Sequence, residues 1–214
     1  VCSISFNNMN YYNEKILPQL IQRACSSEPA SKQREKVIPY AEGVVLEIGA
    51  GSGLNFAYYD TSKVQKIWAL EPSLGMQAIA KKTPVSKVLD VEYLSLLAED
   101  IPFEKNTIDT IVCTYVLCTI PNVELALKKM YEVLKPEGKL LFTEHGLAPD
   151  KKIKVLQNLV NPIWKRVSGG CNLNRNISKL LKGAGFYTVE EQMYIPGFRF
   201  YSYNYWGKAV KSSI

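Results

Sequence analysis

A chain of 214 residues, 47% hydrophobic and 21% charged, is long enough to bury a full core, which excludes a disordered segment, a collagen-like fibre and a disulfide scaffold. Its net charge of +6 comes from Lys and Arg residues spread along the chain and interleaved with Glu, the pattern of a solvated surface, so no nucleic-acid partner is expected. No apolar run approaches the roughly 20 residues that cross a bilayer, and the opening segment lacks a basic stretch followed by an apolar one, so a cytoplasmic protein without a membrane span is expected.

In chain order, apolar periodicity predicts helices over 14–25 and 31–40, separated by Pro29. The run Val44-Val45-Leu46-Glu47-Ile48, β-branched and closed by glycines, predicts a buried parallel strand. Alternation follows: helix 55–59, strand 66–70, helix 73–82, and strands near 91–94 and over 110–115. A helix over 123–134, stopped by Pro136-Glu137-Gly138, leads into strand 139–143. The tail reads as an amphipathic helix over 151–167, a short helix over 177–182, and two strands, 187–194 and 199–205, joined through Pro196-Gly197. Strands separated by helices call for an α/β fold with a mostly parallel sheet, helices on both faces and a C-terminal antiparallel hairpin. One domain over 1–214 is expected, with a helical cap at 1–42, a cofactor-binding core at 43–145 and substrate-side elements at 146–214. Five cysteines, Cys2, Cys25, Cys113, Cys118 and Cys171, are odd in number and lack CxxC spacing, so neither a disulfide set nor a metal site is indicated.

The strongest local signal is Glu47-Ile48-Gly49-Ala50-Gly51-Ser52-Gly53-Leu54-Asn55, directly after the first strand. Alternating glycines let backbone pass close to a ligand. Dinucleotide binders prefer G-x-G-x-x-G, whereas here the third glycine comes one residue early, which shifts weight toward a cofactor without phosphates. A NAD-dependent oxidoreductase remains the competing reading of this loop. The second signal is Glu71-Pro72 at the end of strand two, placed to accept both ribose hydroxyls of an adenosine. The third is Leu97-Ala98-Glu99-Asp100-Ile101-Pro102-Phe103, ahead of the strand at 110–115.

With these three signals, residues 47–143 resemble the class I methyltransferases of the broad ubiquinone/menaquinone-methyltransferase-like group. The resemblance implies a Rossmann-like, doubly wound sheet and S-adenosyl-L-methionine as cofactor. It also implies that Ala98 and Glu99 meet the adenine, with Asp100 an alternative because Leu97 stands where many relatives carry Asp. By the same resemblance, Cys113, Thr114 and Leu117 lie beside the methionine part, and Glu47 orients its amino group or the glycine loop.

A narrower resemblance rests on Ile16-Leu17-Pro18, Lys32-Gln33-Arg34, Glu144-His145-Gly146, Gly169-Gly170-Cys171-Asn172-Leu173-Asn174-Arg175 and Asn204-Tyr205-Trp206-Gly207. These segments are similar to a bacterial methyltransferase group that is itself similar to the methyltransferase-like 7 thiol methyltransferases of animals. It implies methyl transfer to a small-molecule acceptor, with a thiol first and O-, N- or C-methylation of a quinone-like or lipid-like acceptor second. A non-catalytic S-adenosylmethionine-binding module is the third reading. His145, the only histidine, closes predicted strand five and is a candidate general base or orienting group. Cys171, Arg175 and Tyr205 are candidate substrate contacts. The aromatic tail, Tyr194, Phe198, Phe200, Tyr201, Tyr203, Tyr205 and Trp206, is a candidate roof for the acceptor, and Phe6, Tyr11 and Tyr12 a candidate lid.

Overall fold

The computed structural model describes residues 19, 22–23, 25–84 and 88–212. Phe6, Tyr11, Tyr12 and most of the first expected helix lie outside them. Seven apolar segments become strands: β1 (Gly43–Ile48), β2 (Val64–Leu70), β3 (Val91–Leu94), β4 (Ile108–Thr114), β5 (Leu134–His145), β6 (Phe186–Tyr194) and β7 (Tyr203–Lys211). They pair in one sheet of order β3-β2-β1-β4-β5-β7-β6, parallel except that β7 runs antiparallel to both β5 and β6. This is the Rossmann-like, mostly parallel α/β sheet with a C-terminal antiparallel pair.

Side chains alternate across each strand, so a central strand needs apolar residues on both faces. Leu46, Ile48, Ile111, Cys113, Leu140 and Phe142 pack into the core on one face, and Val45, Ile67, Val112 and Leu141 into the core on the other. The first core is covered by α3 (Val123–Val133) and α5 (Ile177–Gly183), which contribute Leu127, Met130, Ile177 and Leu181. The helix α2 (Leu74–Ala80) adds Ala80 to the second. Ser73, Asn122 and Asn176 cap α2, α3 and α5, each side chain accepting a first-turn backbone N–H.

Several boundaries differ from those expected. Pro29 lies in the first turn of α1 (Glu28–Glu35), where its missing N–H costs nothing, instead of separating two helices. That helix ends before Pro39, and a 3-10 turn, Ile38–Tyr40, follows. The helix expected at 55–59 is only a 3-10 turn, Phe56–Tyr58. β5 runs through Pro136-Glu137-Gly138, which bulge from the ladder: Leu134 pairs with Ile108, and pairing resumes at Lys139 and Thr110. β7 starts at Tyr203, because Phe198 to Tyr201 form a turn that packs on Trp164.

The long helix α4 (Lys151–Val167) is amphipathic in an unusual sense. Its buried residue is Gln157, which donates to the carbonyls of Gly146 and Phe200 and accepts from Ala148 N. Val155, Leu159, Ile163 and Val167 are exposed. No described helix is long and apolar enough to cross a membrane.

Strand order reverses between β1 and its two neighbours, and β1, β2 and β4 end at one edge. A crevice forms where the chain leaves neighbouring strands in opposite directions, and ligands bind there in open α/β sheets.

Candidate active site

The loop after β1 must turn sharply to clear that edge. Gly49 has φ 64°, and a Cβ there would lie 2.4 Å from Val116 Cγ2, so no other residue fits without moving the β4 loop. Gly51 N–H donates to Glu71 Oε2 at 2.9 Å, and Ser73 N–H donates to Glu71 Oε1 at 2.8 Å. The acid ending β2 therefore grips the glycine loop. Each of its oxygens accepts one backbone donor and keeps a further lone pair. Burial raises the Glu71 pKa, and the two backbone donors oppose that rise.

Beneath the loop, Glu47 and Thr114 belong to a buried polar chain whose links to Arg34, Asn55 and Tyr59 the sequence did not show. Arg34, 3% exposed, donates through Nε to Asn55 Oδ1 at 3.0 Å. Asn55 Nδ2 donates to Glu47 Oε1 at 2.9 Å and to Thr114 Oγ1 at 3.0 Å, and Tyr59 OH donates to Glu47 Oε2 at 2.7 Å. Burial pushes the Glu47 pKa up to about 7 against these donors and the Arg34 charge. Glu47 thus anchors the loop from below and is not part of the cleft wall. Asn55 had a readable signal, a polar residue closing a glycine loop; Arg34 had only its place in a helical stretch and in the Lys32-Gln33-Arg34 segment of the resemblance.

A cleft of about 470 Å³ opens over this edge, a volume in the range of small-molecule sites. Of the residues singled out in the sequence, Gly49, Ala50, Gly51, Glu71, Pro72, Ala98, Glu99, Thr114 and Arg175 line it. Gly53, Cys113, Leu117, His145, Cys171 and Tyr205 do not. Cys113 points to the opposite face of β4, against Met130, because Thr114 takes the cleft side of the alternation. Leu117 is buried in the core, and its carbonyl accepts from Arg175 Nη1. Gly53 packs beside Phe56 and Ala80. Tyr205 is buried against the Tyr203 ring and donates to Leu147 O at 2.5 Å. The other tail aromatics are absent from the wall too: Tyr194, Phe198, Phe200, Tyr201 and Tyr203 pack on one another or on Trp164, and Trp206 lies under Lys36 Nζ in the second core.

Behind Val116, which lines the cleft, Glu144 is fully buried, and its Oε1 accepts from Val116 N at 2.8 Å and Leu117 N at 2.9 Å. Burial raises its pKa to about 7. Its signals in the sequence were an acid closing the apolar run Leu140-Leu141-Phe142-Thr143 and its place in the Glu144-His145-Gly146 segment of the resemblance. His145 Nε2 lies 3.1 Å from Cys171 Sγ, behind the wall. Burial works to lower the His145 pKa, but the Cys171 sulfur and the Glu144 carboxylate together oppose it and the net shift is upward. The Cys171 thiol is pushed well up by the Cys118 contact and by burial.

Among the described residues that line the cleft, two buried polar atoms have no hydrogen-bond partner: Ser52 Oγ and Glu99 Oε2, the latter on a carboxylate whose other oxygen accepts from Asn122 N at 2.9 Å. Buried acceptors without donors are costly and mark where a ligand completes the network. Together with the Cβ-free loop and the open lone pairs of Glu71, they fit a nucleoside-bearing cofactor.

Residues 46–142 match the family model described as a methyltransferase domain. The chain is 30% identical to thiol S-methyltransferase TMT1B of Homo sapiens over 194 residues, 85% of this chain and 79% of that protein. The class I S-adenosylmethionine-dependent methyltransferases are its family. This methyltransferase is also 30% identical to TMT1B of Rattus norvegicus over 79% of its own length and 71% of the relative's. Its fold matches the YcgJ protein of Bacillus subtilis with TM-score 0.66 at 17% identity, covering 92% and 99% of the two chains. The methyltransferase's cofactor is therefore S-adenosylmethionine.

Proposed function

We propose that this methyltransferase acts on a small-molecule thiol. The observation that carries the reading is the extent of the likeness to the thiol S-methyltransferases: it covers 85% of the chain, well beyond the 46–142 segment shared with methyltransferase domains in general. On this reading Glu71 takes the ribose hydroxyls with its two open lone pairs, and Glu99 Oε2 and the backbone at Ala98 take the adenine. Gly49 to Ser52 pass beneath the nucleoside, and Thr114 and Arg34 stand at the amino-acid end.

The acceptor sulfur forms a bond to the methyl carbon as the methyl–sulfonium bond breaks, the bonding electrons staying with the departing thioether and the acceptor's proton going to water. The protein's share is placement and exclusion of water, worth several orders of magnitude in rate. A thiol is already a few per cent thiolate near neutral pH, so no side-chain base is required. His145, engaged by Cys171 behind the wall, acts on the shape of the acceptor side and does not receive the proton.

Transfer of labelled methyl from S-adenosylmethionine to an alkyl thiol, a phenol and an amine, compared at equal concentration, tests the reading. An S-methyl product formed in preference to the others is expected; methylation of the phenol or amine without thiol product overturns the thiol assignment.

A further inference from the structure

Sequence spacing shows no metal motif, yet the fold gathers three thiophilic donors from distant parts of the chain. Cys118 lies in the loop after β4, His145 is the last residue of β5, and Cys171 follows α4. Cys118 Sγ, a ring nitrogen of His145 and Cys171 Sγ all lie within 4.8 Å of one another. We propose that these three side chains form a binding site for one thiophilic divalent cation of the zinc class.

The donor set selects the ion. Two thiolates and an imidazole suit zinc, and no carboxylate belongs to the cluster, which disfavours magnesium and calcium. With Zn–S near 2.3 Å and Zn–N near 2.0 Å, ligand atoms in a tetrahedral shell stand about 3.5 to 3.8 Å apart, so the observed cluster closes on an ion with side-chain movements of about 1 Å. Cys118 is buried, and two thiolates neutralise a divalent cation, so the loaded site places no net charge in the interior. Binding releases the two thiol protons to solvent.

The frame around the sulfurs is fixed before any ion arrives. Asn172 donates to the Cys118 carbonyl through both its backbone N–H, at 2.9 Å, and its Nδ2, at 2.8 Å, stapling one ligand loop to the other. Gly170, with φ 93°, makes the turn that delivers Cys171. His145 is held in the β5–β7 ladder opposite Asn204. Trp164 Nε1–H donates to Cys171 Sγ at 3.3 Å, the kind of outer-shell hydrogen bond that stabilises a metal-bound thiolate. Three ligands leave one tetrahedral position for water or an external donor.

The test uses the full chain without cofactor or acceptor, so its result is independent of the thiol reading. After chelation, Zn²⁺ titration monitored with a competing indicator should show one ion per chain and release of two protons. Co²⁺ should give thiolate-to-metal charge-transfer absorption in the near ultraviolet and intense tetrahedral bands in the visible. Cys118→Ala and Cys171→Ala should each weaken uptake on the order of 100-fold, and His145→Ala less, while Cys113→Ala leaves it unchanged. Circular dichroism and S-adenosylhomocysteine binding confirm that each variant folds; should one not, the Co²⁺ spectrum of the unaltered protein still counts its thiolate ligands. Absent uptake, uptake without thiolate bands, uptake that survives loss of both sulfurs, or a Cys118–Cys171 disulfide in the native protein overturns the proposal.

Discussion

Glu71 Oε2 accepts the backbone N–H of Gly51 at 2.9 Å, so the acid that ends β2 fixes the loop that follows β1. Its removal takes away both a loop anchor and the two acceptors assigned to ribose. Glu71→Ala is expected to weaken S-adenosylhomocysteine binding by about 3 kcal/mol, roughly 100-fold, as hydrogen bonds to a charged acceptor are worth about 1.5 to 3 kcal/mol each. Calorimetric titration reads this, and an unchanged dissociation constant would remove Glu71 from the cofactor site.

Gly49 answers to geometry, not charge. At φ 64° with Val116 Cγ2 2.4 Å from a built Cβ, Gly49→Ala strains the backbone and pushes the β4 loop outward. A stability loss of about 1 to 3 kcal/mol is expected together with weaker cofactor binding. Denaturant unfolding checks it: a variant as stable as the parent shows that the loop can relax elsewhere.

Much of this half was legible in the sequence because local rules dictate it. Glycine spacing after a β-branched strand, and an acid at the end of the next, place Gly49, Gly51 and Glu71 with no knowledge of the rest. The long-range contacts were not legible in the same way. Cys118, His145 and Cys171 meet only through long-range packing of three elements, and Arg34 reaches Asn55 from a helix outside the sheet. Cys113 and Leu117 were misplaced because the alternation of β4 and the turn at Tyr115, with φ 54°, decide which side chains face the cleft. β7 was expected four residues early, since aromatic content marks a strand and a packed turn equally well.

Buried carboxyls set a pH dependence of stability. Glu47 and Glu144 are each raised from 4.5 to about 7, chiefly by burial. A raised folded pKa means that the folded state holds the proton more tightly than the unfolded chain. The associated stability is fully present below pH 4.5 and is lost as pH rises through about 7. Each group contributes on the order of 3 kcal/mol across that window. Urea unfolding at pH 5 and pH 8 should show the fall, and Glu47→Gln should remove about half of it. An equal fall in the double variant Glu47→Gln, Glu144→Gln would assign the pH dependence to other groups.

Arg34 supplies the opposing charge to Glu47 through Asn55, and it is itself buried. When Glu47 ionises, near pH 7 and above, Arg34 stabilises the anion; when Glu47 is protonated that benefit disappears. Arg34→Met should therefore cost about 3 kcal/mol at pH 8, in the range for breaking a buried charged network, and clearly less at pH 5. In a Glu47→Gln background the pH 8 cost should shrink by about 1 kcal/mol, the interaction energy of a double-mutant cycle. Equal costs at both pH values and in both backgrounds would show that Arg34 holds the loop by hydrogen bonding alone, with no electrostatic coupling to Glu47.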